Sequence, residues 1–358
     1  MNRLTMKHFA LLLAAVVAVG MVAGTLYRGE PVRERRVSTR AGTSPEVRRL
    51  AEQHAGSRRW RVVHHHLLYA VQAGPDGPLV TPLLARADAQ GNVLVLDWAE
   101  RKIKKFDNRG QLVTVFVEGS GGGGGEFTNL TDFDIGSDGS VWACDPLGGR
   151  VTVFGPSGEV RRSFRPDRPP YRIALLPPGG CVIMSSPIGN KLLTVLADDG
   201  TLLRRSGTFL EDQERLWIVL DGRLVATPDG RVAYAAYRSG MLLVYDAEKD
   251  TLAAARETVE QGGFPDVVFR PTPGGELARV DPASPILTRS ISAVGGELHL
   301  LAGITPAEGG RVFDVYDARD ARYLYSYRFA GEAASACVTP GRVVAVSDSV
   351  VSVWGAER

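Results

Sequence analysis

Histidines are the residues of this chain whose type and spacing could hold a metal ion. The six are His8, His54, His64, His65, His66 and His299. His64 and His66 lie two residues apart, so both point to one face of a predicted strand and could share a metal ion. Because no third ligand is identified, we interpret them as polar residues on a solvent-facing strand edge. We expect neither a resident metal nor a cofactor.

Two carboxylates recur at equivalent places in the chain. Asp97 and Asp145 each follow a short apolar stretch and precede a polar loop. Catalysis does not require a carboxylate in every repeat, whereas an aspartate beside a turn commonly accepts backbone N–H bonds there. We therefore interpret both as structural residues. No Ser-His-Asp order and no nucleophile elbow is recognisable.

The stretch "EGSGGGGGEF" (118–127) raises the question of a phosphate-binding loop. Such a loop leaves a strand and opens a helix. The residues that follow alternate between apolar and polar, with an Asp138-Gly139 turn among them, which predicts strand, turn and strand. The glycines are therefore interpreted as a crossing between structural units that uses positive φ angles.

Charge is distributed unevenly along the 358 residues. Residues 1–61 hold 12 basic and 4 acidic residues, whereas the remainder holds 30 basic and 36 acidic residues, a net charge of −6. A nucleic-acid-binding body is expected to be basic. We therefore expect no nucleic-acid partner.

The N-terminus predicts a contact with a membrane. A basic lead (1–8) precedes an uncharged run at 9–27 that is long enough to cross a bilayer. A cleaved signal peptide and an uncleaved signal anchor are both compatible with this run, and its length favours the anchor. We expect the rest of the chain to be extracytoplasmic, periplasmic or at the cell surface, although the arginines after the run oppose this orientation. Residues 28–58 are predicted to be a solvated Arg-rich linker with one short helix starting near Ser44-Pro45.

The three cysteines show no pattern of pairing or metal binding. Cys144, Cys181 and Cys337 lie in predicted strands of different units. Their odd number and scattered spacing argue against a disulfide framework and a metal site. We interpret them as small buried residues.

The chain is self-similar at a fixed spacing. "GNVLVLDWAERKIKKFDNRG" (91–110) aligns without a gap on "GSVWACDPLGGRVTVFGPSG" (139–158), at an offset of 48. The matching pairs are Gly91 and Gly139, Asp97 and Asp145, Lys102 and Arg150, Phe106 and Phe154, and Gly110 and Gly158. Weaker copies start at Gly180, Gly230, Gly296 and Gly341. Each copy predicts four antiparallel strands when its flanking strands are included.

Repeats of this length with four strands are typical of propeller blades, because a single sheet cannot bury both of its faces. The segment 124–158 resembles the NHL repeat, with matches at Gly125, Phe127, Gly139, Asp145, Arg150 and Phe154 and departures at Leu130, Asp132 and Ala143. The resemblance covers about residues 80–160 and is degenerate beyond. We expect an all-β fold: a six-bladed β-propeller of four-stranded antiparallel blades over 59–358, preceded by an N-terminal transmembrane or signal helix.

The two ends of the chain predict how the ring closes. The last copy, "GRVVAVSDSVVSVWG" (341–355), is one strand short, and residues 59–72 read as a strand without a blade. Pairing the two would remove exposed sheet edges. The interval between Gly230 and Gly296 is 66 residues, so 264–287 is extra. It could be a long loop or a degenerate seventh blade, and its five prolines favour the loop.

The NHL resemblance also implies where a ligand would bind. Propeller ligands usually lie over the central channel, on loops between blades and between the two middle strands. The candidate binding residues there are Glu126, Asn129, Asp132, Arg172, Arg238, Asp266 and Arg270. Six-bladed lyases of similar type hold metal through several histidines, but only His299 lies in the repeat body. Lactonases of this architecture hold Ca²⁺ through Glu, Asn and Asp, a role open to Asn129 and Asp132.

Three functions follow from these features. We expect a membrane-tethered, non-catalytic module that binds a protein or a small molecule. The alternative is a metal-dependent hydrolase or lyase that uses Asn129, Asp132 and Asp266 over the channel. A third is a structural spacer that binds partners through an acidic rim.

Overall fold

The computed structural model describes residues 35–37, 42–52, 56–74, 77–117, 127–273, 275–281, 283–303 and 309–357. The predicted membrane segment (9–27), the glycine run and Glu126 lie outside these residues. Among the residues described, no helix is both long enough and apolar enough to cross a bilayer.

Strands make up most of the described chain. The first fourteen are β1 (Arg35–Val37), β2 (Ala51–Glu52), β3 (His64–Gln72), β4 (Pro82–Ala87), β5 (Val93–Asp97), β6 (Lys102–Phe106), β7 (Leu112–Phe116), β8 (Asp132–Ile135), β9 (Val141–Asp145), β10 (Arg150–Phe154), β11 (Val160–Phe164), β12 (Arg172–Leu175), β13 (Cys181–Ile188) and β14 (Lys191–Leu196). The others are β15 (Leu202–Ser206), β16 (Gly222–Ala226), β17 (Val232–Ala236), β18 (Met241–Asp246), β19 (Thr251–Glu257), β20 (Val267–Thr272), β21 (Gly275–Val280), β22 (Thr288–Val294), β23 (Glu297–Ala302), β24 (Val312–Asp317), β25 (Tyr323–Arg328), β26 (Ser335–Thr339), β27 (Arg342–Val346) and β28 (Val350–Glu357). The helices are α1 (Pro45–Leu50), α2 (Gln213–Leu216) and a 3-10 turn at Trp217–Leu220.

The strands form six similar sheets and one smaller sheet. Sheet 1 is β4–β7, sheet 2 is β8–β11, sheet 3 is β12–β15, sheet 4 is β16–β19, sheet 5 is β22–β25, and sheet 6 is β26–β28 with β3. All are antiparallel, and β2 adds a fifth, parallel strand to sheet 4. The side sheet contains β1, β20 and β21. The prediction of four-stranded antiparallel units is confirmed.

The first strands of the six sheets contact one another in a closed order. Strands β4, β8, β12, β16, β22 and β26 each contact the next, and β26 contacts β4. A separate apolar cluster fills the space between each pair of neighbouring sheets. Between sheets 1 and 2, for example, the rings of Phe116 and Phe154 meet at a centroid distance of 5.7 Å. The second strands β5, β9 and β17 are buried throughout because both of their faces meet such clusters.

One glycine recurs at the turn into the second strand of each sheet. Gly91, Gly139, Gly180, Gly230, Gly296 and Gly341 all have φ between 71° and 84°. Residues with a Cβ rarely adopt this left-handed conformation. The turn geometry therefore explains the most regular feature of the repeat.

Sheet 6 is completed by the N-terminal strand, as predicted. Strand β3 pairs antiparallel with β28, from Val350 opposite Gln72 to Glu357 opposite His64. A strand from the first quarter of the chain and the last strand thus lie side by side in one sheet.

The expectation of a solvated linker at 28–58 is wrong for residues 42–52. Helix α1 begins after the N-cap Ser44, whose side chain accepts a bond from the N–H of Val47, which confirms the predicted helix start. Val47 is buried in the apolar cluster between sheets 3 and 4, and β2 then pairs with β19. The burial of Val47 therefore holds this segment against sheets 3 and 4 despite its polar composition.

The interpretation of 264–287 as an irregular loop is also wrong. Residues 267–269, which are Val, Val and Phe, are buried in β20, which pairs with β21 on one side and with β1 on the other. Three strands make this region less than a full four-stranded unit. Pro273 lies between the two strands of the hairpin, and Pro285 follows β21, so neither interrupts the pairing.

Candidate functional site

Two rings of side chains line the centre, one residue from each first strand. The upper ring consists of the residues at one register position, namely Leu84, Asp132, Arg172, Arg223, Ser290 and Ser335. The lower ring lies two residues further along each strand and consists of Arg86, Asp134, Ala174, Val225, Ser292 and Cys337. A spacing of two places both rings on the same face of each strand. Most of the polar side chains of this site are therefore fixed by strand register.

Ring residues of sheets 1 to 3 bind the first strand of the next sheet. Arg86 Nε donates to the carbonyl of Phe133 at 2.5 Å. Asp134 Oδ2 accepts from the N–H of Leu175 at 2.9 Å. Arg172 Nε donates to the carbonyl of Gly222 at 2.9 Å. A first strand has a free backbone edge at the centre, and these side chains satisfy it.

Serines perform the same role in sheet 5. Ser290 Oγ accepts from the N–H of Ala336 at 3.1 Å, and Ser292 Oγ accepts from the N–H of Val338 at 3.0 Å. In sheet 6, the thiol of Cys337 lies beside the backbone of Ala87 and the side chain of Ser292, and both act to lower its pKa. Burial raises the pKa of this thiol, so it remains protonated at neutral pH.

Charged residues of sheets 1, 2 and 4 meet around Asp132, which is fully buried. Its Oδ1 lies 3.4 Å from Arg86 Nη2 and 3.6 Å from Arg223 Nη1. Burial raises the pKa of the neighbouring Asp134, partly opposed by Arg86. Burial acts to lower the pKa of Arg86, but the charges of Asp134 and Asp132 outweigh it and raise that pKa.

A cavity of about 190 Å³ lies within these rings. Its lining comes from β4, β8, β16, β22 and β26. Arginine and aspartate side chains from β4, β8 and β16 line one part, and the serine, cysteine and threonine side chains of β22 and β26 line another. The cavity therefore has a charged wall and a neutral wall that carries hydroxyl groups.

A cluster of aromatic and charged residues lies where β12 and β16 begin. We call it the mouth cluster: Tyr171, Arg172, Trp217, Asp221, Tyr237 and Arg238. Arg172 Nη2 is 2.7 Å from Asp221 Oδ1, and the rings of Tyr171 and Trp217 lie 5.4 Å apart. The buried ring of Tyr237 lies within 6 Å of the guanidinium groups of both Arg172 and Arg223. Burial lowers the pKa of Arg238, which also donates to the carbonyl of Ser284.

The structure brings some of the predicted binding residues together and separates others. Asp132 and Arg172 share the upper ring, and Arg238 lies in the mouth cluster. Asn129 is partly buried, and its N–H binds Asp145 Oδ1 at 2.9 Å. Asp266 and Arg270 belong to the side-sheet region, where Asp266 is 3.9 Å from Arg36 and Arg270 is exposed.

The repeated residues make structural contacts. Asp97 accepts from the N–H groups of Val80 and Thr81, and Asp145 accepts from those of Thr128, Asn129 and Gly148. Lys102 pairs with Glu100 at 3.2 Å, and Arg150 lies 3.7 Å from Asp145. Phe106 and Phe154 are fully buried.

Histidines contribute to packing. His299 is buried, with Nδ1 3.2 Å from the Tyr327 hydroxyl. His65 stacks on Tyr327, and burial lowers its pKa. His64 and His66 lie on β3 opposite Glu357 and Gly355. In the described ranges, no group of three or more His, Cys, Asp or Glu side chains is arranged to hold a metal ion.

Sequence reasoning missed Arg86, Asp134, Arg223, Asp221 and Tyr237. A signal for the ring residues was present in the first strands, where polar residues recur at a spacing of two. Examples are "DFD" (132–134), "SIS" (290–292) and "SAC" (335–337). Such alternation on a buried strand indicates that polar groups bind something inside the molecule.

No protein-family model and no curated protein matches this chain. Solved structures resemble it at low identity. A Bacteroides fragilis protein whose description suggests export superposes with a TM-score of 0.58 at 11% identity, covering 86% of this chain and 99% of that one. The WD40 repeats of RRP9 give 0.52 at 11%, covering 84% and 99%, and a streptogramin B lyase gives 0.50 at 13%, covering 81% and 98%. These likenesses show the fold, which is β-propeller-like.

Proposed function

We propose that this chain is a six-bladed propeller of NHL-like type that binds a protein or a small molecule at its mouth cluster without catalysing a reaction. Sheets 1 to 6 are the blades, and the side sheet is an insertion between the fourth and fifth. The closed order of the first strands and the six equivalent glycine turns support this blade count.

The mouth cluster is the observation that carries the binding role. Tyr171 and Trp217 are partly exposed, and the side chain of Asp221 is 41% exposed. Aromatic residues and arginines dominate binding energy at protein interfaces because they offer large, rigid contact areas and directional donors. The cluster lies at strand ends and on the 3-10 turn at Trp217–Leu220, so little ordering is needed when a partner binds.

The hydrogen bonds made by charged residues of the two rings indicate that these residues have a structural role. Asp132, Asp134 and Arg172 bind backbone groups of the neighbouring first strand. A carboxylate committed to two strands is less free to activate water or to hold a metal ion.

Photo-crosslinking tests the binding role. A photoreactive phenylalanine replaces Trp217, and in a matched protein it replaces Trp60, which is 47% exposed and far along the chain from the mouth cluster. In cells that express these full-length photoreactive proteins, we expect position 217 to form a reproducible covalent adduct. The amount of this adduct is expected to fall when Arg238→Gln is introduced. The mass of the adduct distinguishes a protein from a small molecule. Equal adducts from positions 60 and 217, or none from 217, would contradict the proposal.

The alternative, a metal-dependent hydrolase or lyase, is tested by metal analysis. Asp132 and Asp134 both border the cavity, so their carboxylates are the candidate ligands of such an ion. A stoichiometric divalent ion in the purified protein that is lost with Asp132→Asn would replace the binding-module proposal with this one.

Residues 9–27 are proposed to anchor the propeller to a membrane, with the propeller on the extracytoplasmic side. The uncharged run supports the anchor. A reporter that is active only outside the cytoplasm, fused after Arg358, tests the orientation. A fluorescent protein that matures only in the cytoplasm serves as its counterpart, and a signal from the latter alone would reverse the proposal.

A further inference from the structure

The cavity within the two rings is a built pocket with an uneven supply of hydrogen-bond donors. It is bordered by Arg86, Arg223, Ser290 and Ser335 and by the carboxylates of Asp132 and Asp134. A volume of about 190 Å³ exceeds the space of a single water several times. The cavity is therefore large enough for a small organic molecule.

The carboxylates of the cavity are supplied with donors from the backbone. Asp132 accepts from the N–H groups of Phe133 and Ile173, and Asp134 accepts from those of Ile135 and Leu175. Backbone donors stabilise a carboxylate without using a cation. The negative charges are thus partly compensated before any guanidinium is counted.

The contacts between the guanidinium groups and these carboxylates are long. The Arg86 and Arg223 nitrogens lie 3.4–3.6 Å from carboxylate oxygens, longer than charged hydrogen bonds normally are. Arg223 Nη1 is buried and has no hydrogen-bond partner among the described residues. A buried guanidinium donor without a partner is costly and indicates an acceptor that completes the site.

The neutral wall adds a further donor. Ser290 Oγ accepts the N–H of Ala336, which leaves the hydroxyl proton available to an acceptor. Ser290 and Arg223 belong to the first strands of neighbouring sheets 5 and 4, which contact each other. A carboxylate between them would receive one charged and one neutral hydrogen bond.

We propose that this cavity binds a small organic carboxylate through Arg223, with Ser290 and Arg86 as further donors. The inference rests on the proposed function as a binding module and names the ligand class of a second site, the cavity, apart from the mouth cluster. A planar carboxylate matches the donor geometry of a guanidinium, whereas a neutral amide of the same shape lacks the charge.

Thermal unfolding with acetate and acetamide tests the ligand class, because the two probes share a shape and differ in charge. Ionic strength is held constant. Acetate at about ten times its Kd is expected to raise the Tm by about 2–5 °C, and acetamide is expected to leave it unchanged. No rise with acetate, or an equal rise with acetamide, would overturn the proposal.

Variants test the site. Arg223→Gln is expected to abolish the acetate response, Arg223→Lys to retain part of it, and Arg319→Gln, which changes an exposed arginine, to retain all of it. An unchanged response in Arg223→Gln would overturn the proposal.

Modification of Cys337 locates the ligand without altering Arg223. This thiol borders the cavity, whereas Cys144 and Cys181 are fully buried and serve as internal controls. Acetate at ten times its Kd is expected to slow modification of Cys337 by methyl methanethiosulfonate about tenfold, in proportion to the empty fraction. An unchanged rate while the Tm rises would place acetate elsewhere and overturn the proposal.

The two proposals can fail separately. If acetate does not bind but position 217 still crosslinks to a partner, the ligand class of the interior is wrong and the binding module remains. If acetate does not bind and the crosslink is absent, both proposals are wrong.

Discussion

Two groups of junctions between neighbouring sheets satisfy a free backbone edge with different side chains. One group consists of the junctions that follow sheets 1 to 3, and the other is the junction between sheets 5 and 6. In each, side chains at a spacing of two satisfy the backbone edge of the next first strand. Sheets 1 to 3 use arginine and aspartate, whereas sheet 5 uses serine. A serine performs this task with little desolvation, while a buried charge needs a counter-charge as well.

The comparison indicates that the charged side does more than close the ring. If edge satisfaction were the only requirement, hydroxyl groups would suffice, as Ser290 and Ser292 demonstrate. Arg223, moreover, is placed against Asp132 at 3.6 Å rather than bound to it. The charged wall therefore favours a binding role in addition to the structural role that both walls share.

The largest expected effect comes from removing the central charge. Asp132→Ala leaves Arg86 and Arg223 without their shared counter-charge and frees the N–H of Ile173. We expect a loss of about 3–5 kcal/mol in the free energy of unfolding, measured by urea denaturation. The exposed Asp198, paired with Arg162 at the surface, provides the control, since Asp198→Ala is expected to cost less than about 1 kcal/mol. Similar losses in both variants would remove the distinction between a buried and a surface pair.

A smaller loss is expected on the neutral wall. Ser290→Ala leaves the buried N–H of Ala336 without a partner, which we expect to lower the free energy of unfolding by about 1–3 kcal/mol. Ser163→Ala, on the exposed outer strand β11, is expected to change it by less than about 0.5 kcal/mol. If Ser290→Ala matched Ser163→Ala, water or another group would already serve that N–H, and the shared role of the two walls would be refuted.

Local patterns in the sequence predicted the frame of the molecule. The offset of 48 between the first two copies located Asp97, Asp145 and the glycine turns, and the missing last strand located β3. These features are local or lie at the chain ends, so a single sequence reveals them. The side sheet was missed because β20 is completed by β1, more than 200 residues away.

The site was predicted only in part for the same reason. Asp132 and Arg172 were identified from their loops, but their partners are far apart in sequence. Arg86 precedes Asp132 by 46 residues, and Arg223 follows it by 91. Only the closure of the ring brings sheets 1, 2 and 4 to one point, and no periodicity within a strand encodes which charges then meet.

The pKa of Asp134 provides a pH-dependent test of the charged wall. Burial raises this pKa, with Arg86 opposing and Asp132 reinforcing the shift, so the folded state favours the neutral carboxyl. Stability from the neutral form is present at low pH and is lost as the pH rises through the folded-state pKa. Asp134→Asn mimics the neutral form, so the free energy of unfolding of the variant should rise relative to that of the native protein as the pH rises above 4. Urea denaturation between pH 3.5 and 7 measures this gain, and a native protein that gains on the variant instead would show that pairing with Arg86 outweighs burial.

The smallest expected effect is that of Cys337→Ser, at the position in sheet 6 that corresponds to Asp134 in sheet 2. The Cys337 thiol lies beside the backbone of Ala87 and the side chain of Ser292. Cys337→Ser supplies an oxygen at the same place that can accept the N–H of Ala87, so we expect a change of less than about 1 kcal/mol in the free energy of unfolding. Cys337→Ala removes the acceptor and should cost about 1–3 kcal/mol. If the alanine variant were as stable as the serine variant, the N–H of Ala87 would have no need of a side-chain partner, and the junction between sheets 6 and 1 would be closed by packing alone.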